Sequence, residues 1–456
     1  MLFLLIRKEL LEQLLSLRFA LACIICLVLM LSSTFILTKD YKEALADYHL
    51  NTVMHKNEIE ESDDLVYSGI KIDRPPNPMQ IFFKGVDPQL TTTTKVNGVR
   101  EPQVEANYEG NPVITLFPPI DLLFFIGIVM SLLAIAFSYD AISGEKESGT
   151  LKLLMSYSVP RDQILLAKWI GGYLALITPF ILSLLCGLIV VLLFPTVELQ
   201  AEHWALLGLT LLVALLYLSA MYSLGIFVST RTHLASTSIT VILMVWVLIV
   251  LVVPNITPYI AAQIEPLRSI NVVEKEKYQF QREEQQKFDE ALDEWAEAHP
   301  EVRRWREYAW WLNFTRMSRD QLLRVIGHQN KIDDQFQKQM DEQIRLTQYL
   351  SRFSPLASFT YAASDLAGTG IKDRNRFVDL LSDYRVEITR FGMEQRILAN
   401  ENQDWDSRTI EGYPKFAYEE SRIQDRISFS DILILAVWNI LFFMGMYLSF
   451  LRYDVT

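Results

Sequence analysis

Six apolar stretches, each about 20 residues long, constrain the fold of this chain more than any other feature. They lie at 17–37, 120–139, 169–194, 204–228, 234–253 and 429–451. A helix of about 20 residues, rising ~1.5 Å per residue, crosses the ~30 Å hydrocarbon layer of a bilayer. Of the 456 residues, 51% are hydrophobic although 21% are charged, so the two kinds are segregated along the chain. We therefore predict a mainly α, integral membrane protein with six transmembrane helices.

Lysine and arginine are concentrated in one set of short connections, and this sets the expected orientation because such loops resist translocation. With a cytoplasmic N-terminus, the inner segments carry Arg7, Lys8, Lys146, Lys152, Arg161, Lys168, Arg231 and Arg452. The outer short connection, 195–203, has neither lysine nor arginine. We predict that both termini, including the tail 452–456, are cytoplasmic, and that the polar regions 38–119 and 254–428 lie outside.

The segment before the first apolar stretch has its own helical pattern. Residues 1–16 place Arg7 and Glu12 among leucines at helical spacing. This spacing predicts an N-terminal interfacial helix, which would lie along the membrane surface before transmembrane helix 1 at 17–37. The alternative is a helix that simply extends that span into the cytoplasm.

The first extracytoplasmic region, 38–119, is of mixed composition. Its acidic residues between 58 and 64 fit no calcium-loop spacing, so we interpret them as a solvated face. Asn97-Gly98 within a run rich in threonine and valine predicts a β-hairpin, and hence a small mixed α/β outer region. Pro118-Pro119 is expected to begin the second span, since proline costs little in a first helical turn.

The second polar region, 254–428, predicts a large helical extracytoplasmic insert, because apolar residues recur at helical spacing between charges. Ser354 and Pro355 fit the N-cap and first turn of a helix that Gly368 closes. A further helix is predicted at 373–399.

An aromatic cluster within this insert has two interpretations, since aromatic residues gather both in cores and at bilayer interfaces. Its members are Trp305, Tyr308, Trp310, Trp311 and Phe314. On a helix, Trp305 and Tyr308 would share one face with Leu312, so we favour a core. The alternative places that helix on the outer leaflet.

Within the membrane region 120–253, which holds transmembrane helices 2–5, the connection at 140–168 is charged and amphipathic. It combines Glu145, Lys146 and Glu147 with a Gly149-Thr150 pair and an apolar run that begins at Leu151. A loop that only reverses the chain needs no apolar helix face. We therefore predict a face that is either buried or in contact with a partner.

The order of residues in this connection resembles the cytoplasmic loop of ABC type-2 (export) permeases, the membrane subunits of ATP-driven transporters. The resemblance rests on Gly144-Glu145, Gly149-Thr150-Leu151, Leu154, Pro160-Arg161 and the residues 166–168. The run SPLASFTYAASDLAGTG at 354–370 is similar to an outer insert in a subset of these permeases. The resemblance implies a place in a bacterial inner (plasma) membrane and a second permease subunit, identical or related, as partner.

The resemblance also implies that 140–168 is the coupling loop, which separate ABC ATPase (nucleotide-binding) subunits push when they bind ATP and Mg. Glu145 and Glu147 would bond to the ATPase, Leu151 and Leu154 would fill a groove on it, and Gly149 would allow close approach. The same motif includes Thr150, Pro160 and Arg161. Ordinary structural roles are the alternatives: helix capping for Glu145, solvation for Glu147 and burial for the leucines.

Several chemistries lack their sequence signals. The chain has no G-x-x-x-x-G-K-[ST] loop for nucleotide phosphates, and Ala367 to Lys372 lacks that spacing. Its six histidines are scattered, and no G-x-S-x-G elbow occurs. We predict no catalytic, cofactor or metal site in this chain, and no ATPase activity of its own. The net charge of −12 without a basic stripe also argues against nucleic-acid binding.

Charged residues are almost absent from the centres of the six stretches, which argues against a proton- or sodium-coupled transporter. Asp140, at the cytoplasmic end of the second stretch, is the exception that needs a partner, because the helix dipole disfavours a carboxylate there. We predict an ion pair at the membrane edge, with Lys146 and Arg231 as the candidate cations.

Two other functional classes compete with a permease. A membrane receptor or assembly scaffold would use the outer helical domain for binding, although such proteins usually carry an inner output domain. An intramembrane enzyme would need catalytic carboxylates or histidines within the spans, and none lies near the centre of a span. For a permease, the insert would gate the exit, dock a periplasmic or surface partner, or transmit force outward. Its cargo could be a lipid, peptide, antibiotic or polysaccharide.

Overall fold

The computed structural model of the chain describes residues 2–62, 64–86, 90–102, 120–156, 159–404, 411–418 and 421–453. Within these residues, six helical segments are long and apolar enough to cross a membrane: Leu17–Glu60, Leu122–Glu147, Arg161–Leu192, Ala201–Arg231, Ala235–Ile264 and Phe429–Leu451. The predicted fold class, a mainly α membrane protein with six spans, is confirmed.

The elements of secondary structure follow one another in a simple order. The helices are α1 Leu2–Leu14, α2 Leu17–Glu60, α3 Leu122–Phe124, α4 Ser131–Ser138, α5 Ser143–Glu147, α6 Thr150–Ser156, α7 Arg161–Leu192, α8 Ala201–Arg231, α9 Ala235–Trp246, α10 Val253–Ile264, α11 Ile270–Ala298, α12 Tyr308–Ser351, α13 Pro355–Ala367, α14 Ile371–Glu401, α15 Ile423–Arg426 and α16 Phe429–Leu451. The strands are β1 Ile70–Asp73 and β2 Thr93–Val96, and a 3-10 turn spans Pro78–Ile81. π-helical turns at Phe125–Met130 and Val247–Val252 interrupt the second and fifth spans.

The N-terminal helix does not continue the first span. The chain turns at Ser16, whose backbone is extended. The side-chain oxygen of Ser16 accepts from the backbone N–H of Phe19 at 3.2 Å and so caps the start of α2. The helix α1 instead packs along α7, at the end of the spans where α5 and α6 lie. We call this the loop end, and the opposite end the insert end.

The first span is longer than its apolar stretch. At ~1.5 Å per residue, the 44 residues of α2 exceed the ~30 Å hydrocarbon layer by a wide margin. Its second half therefore projects beyond the membrane at the insert end. The sequence pattern missed this extension because residues 38–60 are too polar to continue the hydropathy signal.

The hairpin predicted at Asn97-Gly98 is wrong. Strand β2 ends at Val96 and pairs antiparallel with β1, with Ile70 opposite Val96. The side chain of Asn97 accepts from the backbone N–H of Val99 at 3.1 Å and closes a local turn, and no strand follows in the described residues 97–102. The run rich in threonine and valine was predicted to extend over 79–113, and its residues 103–113 lie outside the described residues, as does Pro118-Pro119.

The insert is built on an antiparallel pair of long helices, α11 and α12, with α14 packed along α12. Buried Lys277 of α11 lies 2.7 Å from Glu101 and also pairs with Asp333 of α12. Burial lowers the pKa of Lys277, but the hydrogen bonds to the two carboxylates outweigh this effect and raise it above its ordinary value. One turn away on α12, Arg385 of α14 donates to Gln329 at 3.1 Å.

The aromatic cluster lies at the far tip of this hairpin. Trp310 is buried there with Phe288 and Leu292, as the core interpretation predicts. Trp305 is different, because it precedes α12, has a left-handed backbone with φ of 61° and is more than half exposed. The helix face that was predicted to join Trp305 to Tyr308 therefore does not exist.

The short helix α13 anchors the insert in the membrane helices. Its predicted ends are confirmed: the Ser354 hydroxyl accepts from the backbone N–H of Ala357, and Gly368 closes the helix at φ of 68°. Phe359 of α13 stacks on Tyr217 of α8 with ring centroids 5.1 Å apart. Tyr217 in turn donates to the carbonyl of Gly127, in the π-helical turn of the second span, at 2.9 Å.

A second anchor lies beside the first. Arg352, just before α13, donates to Asp431 in the first turn of α16 at 2.8 Å, and Trp438 donates to the carbonyl of Arg352 at 3.2 Å. Hydrogen bonding to Asp431 raises the pKa of Arg352 above its ordinary value. The insert is thus fastened to the fourth and sixth spans rather than tethered by flexible chain.

We expect Phe359→Ala to lower the free energy of unfolding by ~3 to 5 kcal/mol, because it removes a fully buried ring. Thermal unfolding in one detergent, followed by circular dichroism, measures this as a lower midpoint. Phe353→Ala is the matched control, since Phe353 is 68% exposed next to the same helix. Equal shifts in the two variants would contradict the anchoring role of Phe359.

Candidate functional site

The connection 140–168, of which the structure describes 140–156 and 159–168, is docked on the loop end of the spans. The hydroxyl of Ser229, near the end of α8, accepts from the backbone N–H groups of Ile142 at 3.1 Å and Ser143 at 2.9 Å. Lys146 donates to the carbonyls of Thr230 and, at 3.0 Å, Thr232. Helix α5 is therefore held on α8 by hydrogen bonds at both of its ends.

A buried ammonium group joins three segments that are distant in sequence. Lys168, in the second turn of α7, lies 2.7 Å from Glu145 of α5 and 3.3 Å from both carboxylate oxygens of Glu9 in α1. Its side chain is only 5% exposed. Because an unpaired charge at such a site costs several kcal/mol, this cluster holds α1, α5 and α7 together.

The carboxylate of Glu145 therefore turns toward its own chain. One oxygen bonds to Lys168, and the other is buried without a hydrogen-bond partner among the described residues. The sequence pattern did not single out Glu9 or Lys168 as site residues. The available signal was Lys168 itself, a charged residue at the margin of an apolar span, which needs an anionic partner.

The predicted cationic partners of Asp140 are wrong. Asp140 pairs with Arg18, in the first turn of α2, at 2.8 Å. Arg18 also donates to the Tyr139 hydroxyl at 2.9 Å. Lys146 instead donates to carbonyl groups at the end of α8, and the guanidinium of Arg231 lies over the ring of Phe227. Arg18 lies at the start of the first span and Asp140 at the end of the second span. Both positions fall at the loop end, so the two charges meet there.

Most of the other predicted site residues also make contacts within the chain. Glu147 accepts from the backbone N–H of Ala235 at 3.0 Å and so caps the start of α9. Leu151 is 1% exposed and belongs to the central core, against which Leu154 packs half-buried.

Arg161 donates to the carbonyl of Tyr453 at 2.9 Å, beyond the end of α16, while Pro160 precedes α7 and is exposed.

The outward face of the loop is formed by different residues. Gly149 has φ of 74°, a conformation that favours glycine, and open space surrounds its α-carbon. Exposed Thr150 follows, with its hydroxyl 2.8 Å from that of Ser148. Leu153 is 62% exposed, and Lys152 beside it is exposed too. The run Leu151, Leu154 and Met155 shares one helix face, so Leu153 points the other way.

The site consists of a rigid platform that carries a small exposed patch. The patch comprises Ser148, Gly149, Thr150, Lys152 and Leu153, which we call the loop patch. Across the described residues, no group of three or more His, Cys, Asp or Glu side chains could hold a metal ion. The arrangement is suited to contact with another protein.

The chain is similar to known membrane transporters. A family model described as "ABC-2 family transporter protein" matches residues 3–455. The probable ABC transporter permease protein NosY of Stutzerimonas stutzeri is 44% identical over 78 residues, which cover 17% of this chain and 28% of that relative. NosY of Pseudomonas aeruginosa is 36% identical over 101 residues, 21% of this chain and 37% of the relative. The chain thus aligns with only a minor part of either relative's length.

We expect Lys168→Met to destabilise the protein by ~3 kcal/mol or more, because Glu145 would lose its cation and Glu9 would keep only exposed Lys8, at 3.9 Å. Lys152→Met, on the exposed face of the same loop, is the matched control and should be nearly neutral. Unfolding midpoints in detergent measure both variants. Adding Glu145→Gln to Lys168→Met should recover part of the loss, and no recovery would argue against the charge cluster as its cause.

Proposed function

The chain belongs to the ABC-2 family of transporter proteins as a membrane-embedded permease, and we propose that it couples ATP hydrolysis by separate ATPase subunits to movement of its insert. The observation that carries this proposal is the loop patch, which is exposed on a platform that the Lys168 cluster and the α8 contacts hold rigid. A rigid platform transmits a push, whereas a flexible loop would absorb it.

The contact with the ATPase uses the loop patch. Leu153 supplies the apolar anchor, Lys152 a flanking charge and Gly149 the open backbone. Glu145 and Glu147 act indirectly, because their carboxylates hold the loop to α7 and α9. Leu151 and Leu154 connect the loop to the core rather than filling a groove on the partner.

A continuous set of contacts leads from the loop to the insert. Helix α5 follows α4 at the loop end, and the π-helical turn at the other end of that span contacts Tyr217 through the carbonyl of Gly127. Tyr217 stacks on Phe359 of α13. Tilting of the second span would therefore displace α13. π-helical turns are frequent at functional sites.

The loop end faces the cytoplasm. This orientation is supported by the basic residues Arg7, Lys8, Lys152 and Arg452 on that side and by the lack of lysine and arginine in 195–203. The protein works in the bacterial inner membrane with a second permease subunit, and it drives export or an outward conformational change. ATP and Mg are bound by the ATPase partner.

We expect the double variant Lys152→Glu with Leu153→Asp to reduce both co-purification of the ATPase and its stimulated activity by about tenfold or more. The variant removes an apolar anchor that the partner would bury and reverses a flanking charge, and the lost binding free energy should exceed ~1.4 kcal/mol. Tagged full-length chain is purified from its native membranes, and the bound ATPase is quantified by mass spectrometry and by phosphate release.

The matched control is Lys331→Glu with Leu398→Asp, which makes the same changes at exposed positions of the insert. It should retain the ATPase. If the wild-type chain captures no ATPase, or if the loop-patch variant captures as much as the control, the coupling proposal is wrong and the scaffold alternative is favoured.

A further inference from the structure

A cavity of about 710 Å³ lies at the insert end of the spans, between α12, α13 and the start of α14. This volume is within the range of ~300 to 1,000 Å³ that is typical of small-molecule sites. Leu123, in the first turn of the second span, forms part of its wall. Because that turn marks the start of the membrane-crossing segment, the cavity opens where the hydrocarbon layer ends.

The interior of the cavity is mainly apolar. Ile344 of α12, Ile371 of α14 and Val86 line it together with Leu123. The ring of Tyr361 adds an aromatic surface, and its hydroxyl is already hydrogen-bonded to Ser351 at 3.0 Å. These walls can contact an alkyl chain or ring without leaving a polar group unpaired.

The carboxylates of the lining are already engaged by the chain. Asp341 accepts from the side-chain amides of Gln337 at 3.3 Å and Asn375 at 3.2 Å. Asp365 pairs with Lys372 at 2.7 Å. Lys372 offsets the charge of Asp365, whereas the two neutral amides hold the Asp341 carboxylate in place without cancelling its charge.

Two cations on the rim are available. Lys338 has no ion pair among the residues that the structure describes, and it is exposed. Arg345, two turns further along the same face of α12, lies 3.9 Å from Glu342, with both side chains more than half exposed. Such exposed pairs contribute little, so the guanidinium can bind another anion while the Glu342 carboxylate, itself 60% exposed, stays solvated.

We propose that this cavity binds an amphipathic anion, with its apolar part against Leu123, Ile344 and Ile371 and a phosphate or carboxylate head between Lys338 and Arg345. Such a molecule is either a bilayer lipid that enters beside the second span or a free amphiphile from the aqueous side. A ligand here contacts α13 and α12 together, the two helices whose junction is anchored to the spans. The site does not depend on the proposed ATPase coupling.

Photocrosslinking of the full-length chain in nanodiscs tests this site without any ATPase or nucleotide. One arm uses a diazirine-labelled phosphatidylglycerol in the bilayer, and the other uses a diazirine-labelled palmitate added from solution. A diazirine-labelled alkylamine is the cationic comparison. Peptide mapping should place the anionic crosslinks on α12 between 338 and 348 and on 360–375, and the arm that labels identifies the source.

Two kinds of variant check the assignment. Lys338→Glu with Arg345→Glu removes the head contacts, and Ile344→Trp fills the cavity; each should lower the mapped crosslinking by about tenfold, the effect of losing 1.4 kcal/mol. Lys331→Glu with Arg303→Glu makes the same charge changes away from the cavity and should label like wild type. The proposal is overturned if labelling is unchanged in both cavity variants, or if the amine labels the site as well as the anions.

Discussion

The buried ammonium of Lys168 is the interaction on which the loop end of this protein depends. A lysine side chain that is 5% exposed costs several kcal/mol to bury unless anions surround it, and Glu145 and Glu9 supply them. The cost of separating these charges is what fixes α1 and α5 to α7. The cluster turns a surface loop into a rigid extension of the third span.

Similar contacts fasten the insert at the opposite end. Arg352 pairs with Asp431, and Phe359 stacks on Tyr217, so the end of α12 and the helix α13 that follows it are held directly on the spans. With both ends rigid, movement of one end relative to the other requires a change within the spans. The π-helical turns at Phe125–Met130 and Val247–Val252 are the irregular places in those spans, and both contact α13 or its neighbours.

Sequence reasoning was accurate where one local property decides the structure. Length and hydropathy predicted the six spans, because backbone groups in hydrocarbon must bond within their own helix. Ser354, Pro355 and Gly368 predicted the ends of α13, because capping uses residues that are adjacent in sequence. It failed where partners are distant. Asp140 pairs with Arg18 rather than Lys146 or Arg231, and β2 pairs with β1 rather than with a strand after Gly98.

The candidate site shows the same division. The amphipathic pattern of 140–168 correctly indicated a helix with one apolar face, but it left open whether that face meets a partner or the chain's own core. Packing against the spans buries Leu151 and exposes Leu153, and the Lys168 cluster turns Glu145 inward. The sequence by itself therefore determined the membrane class, the number of spans and the location of the loop, because hydropathy and capping act over a few residues. Only the tertiary structure decided which side chains face outward, because burial and charge pairing join residues that lie 23 to 159 positions apart in the chain.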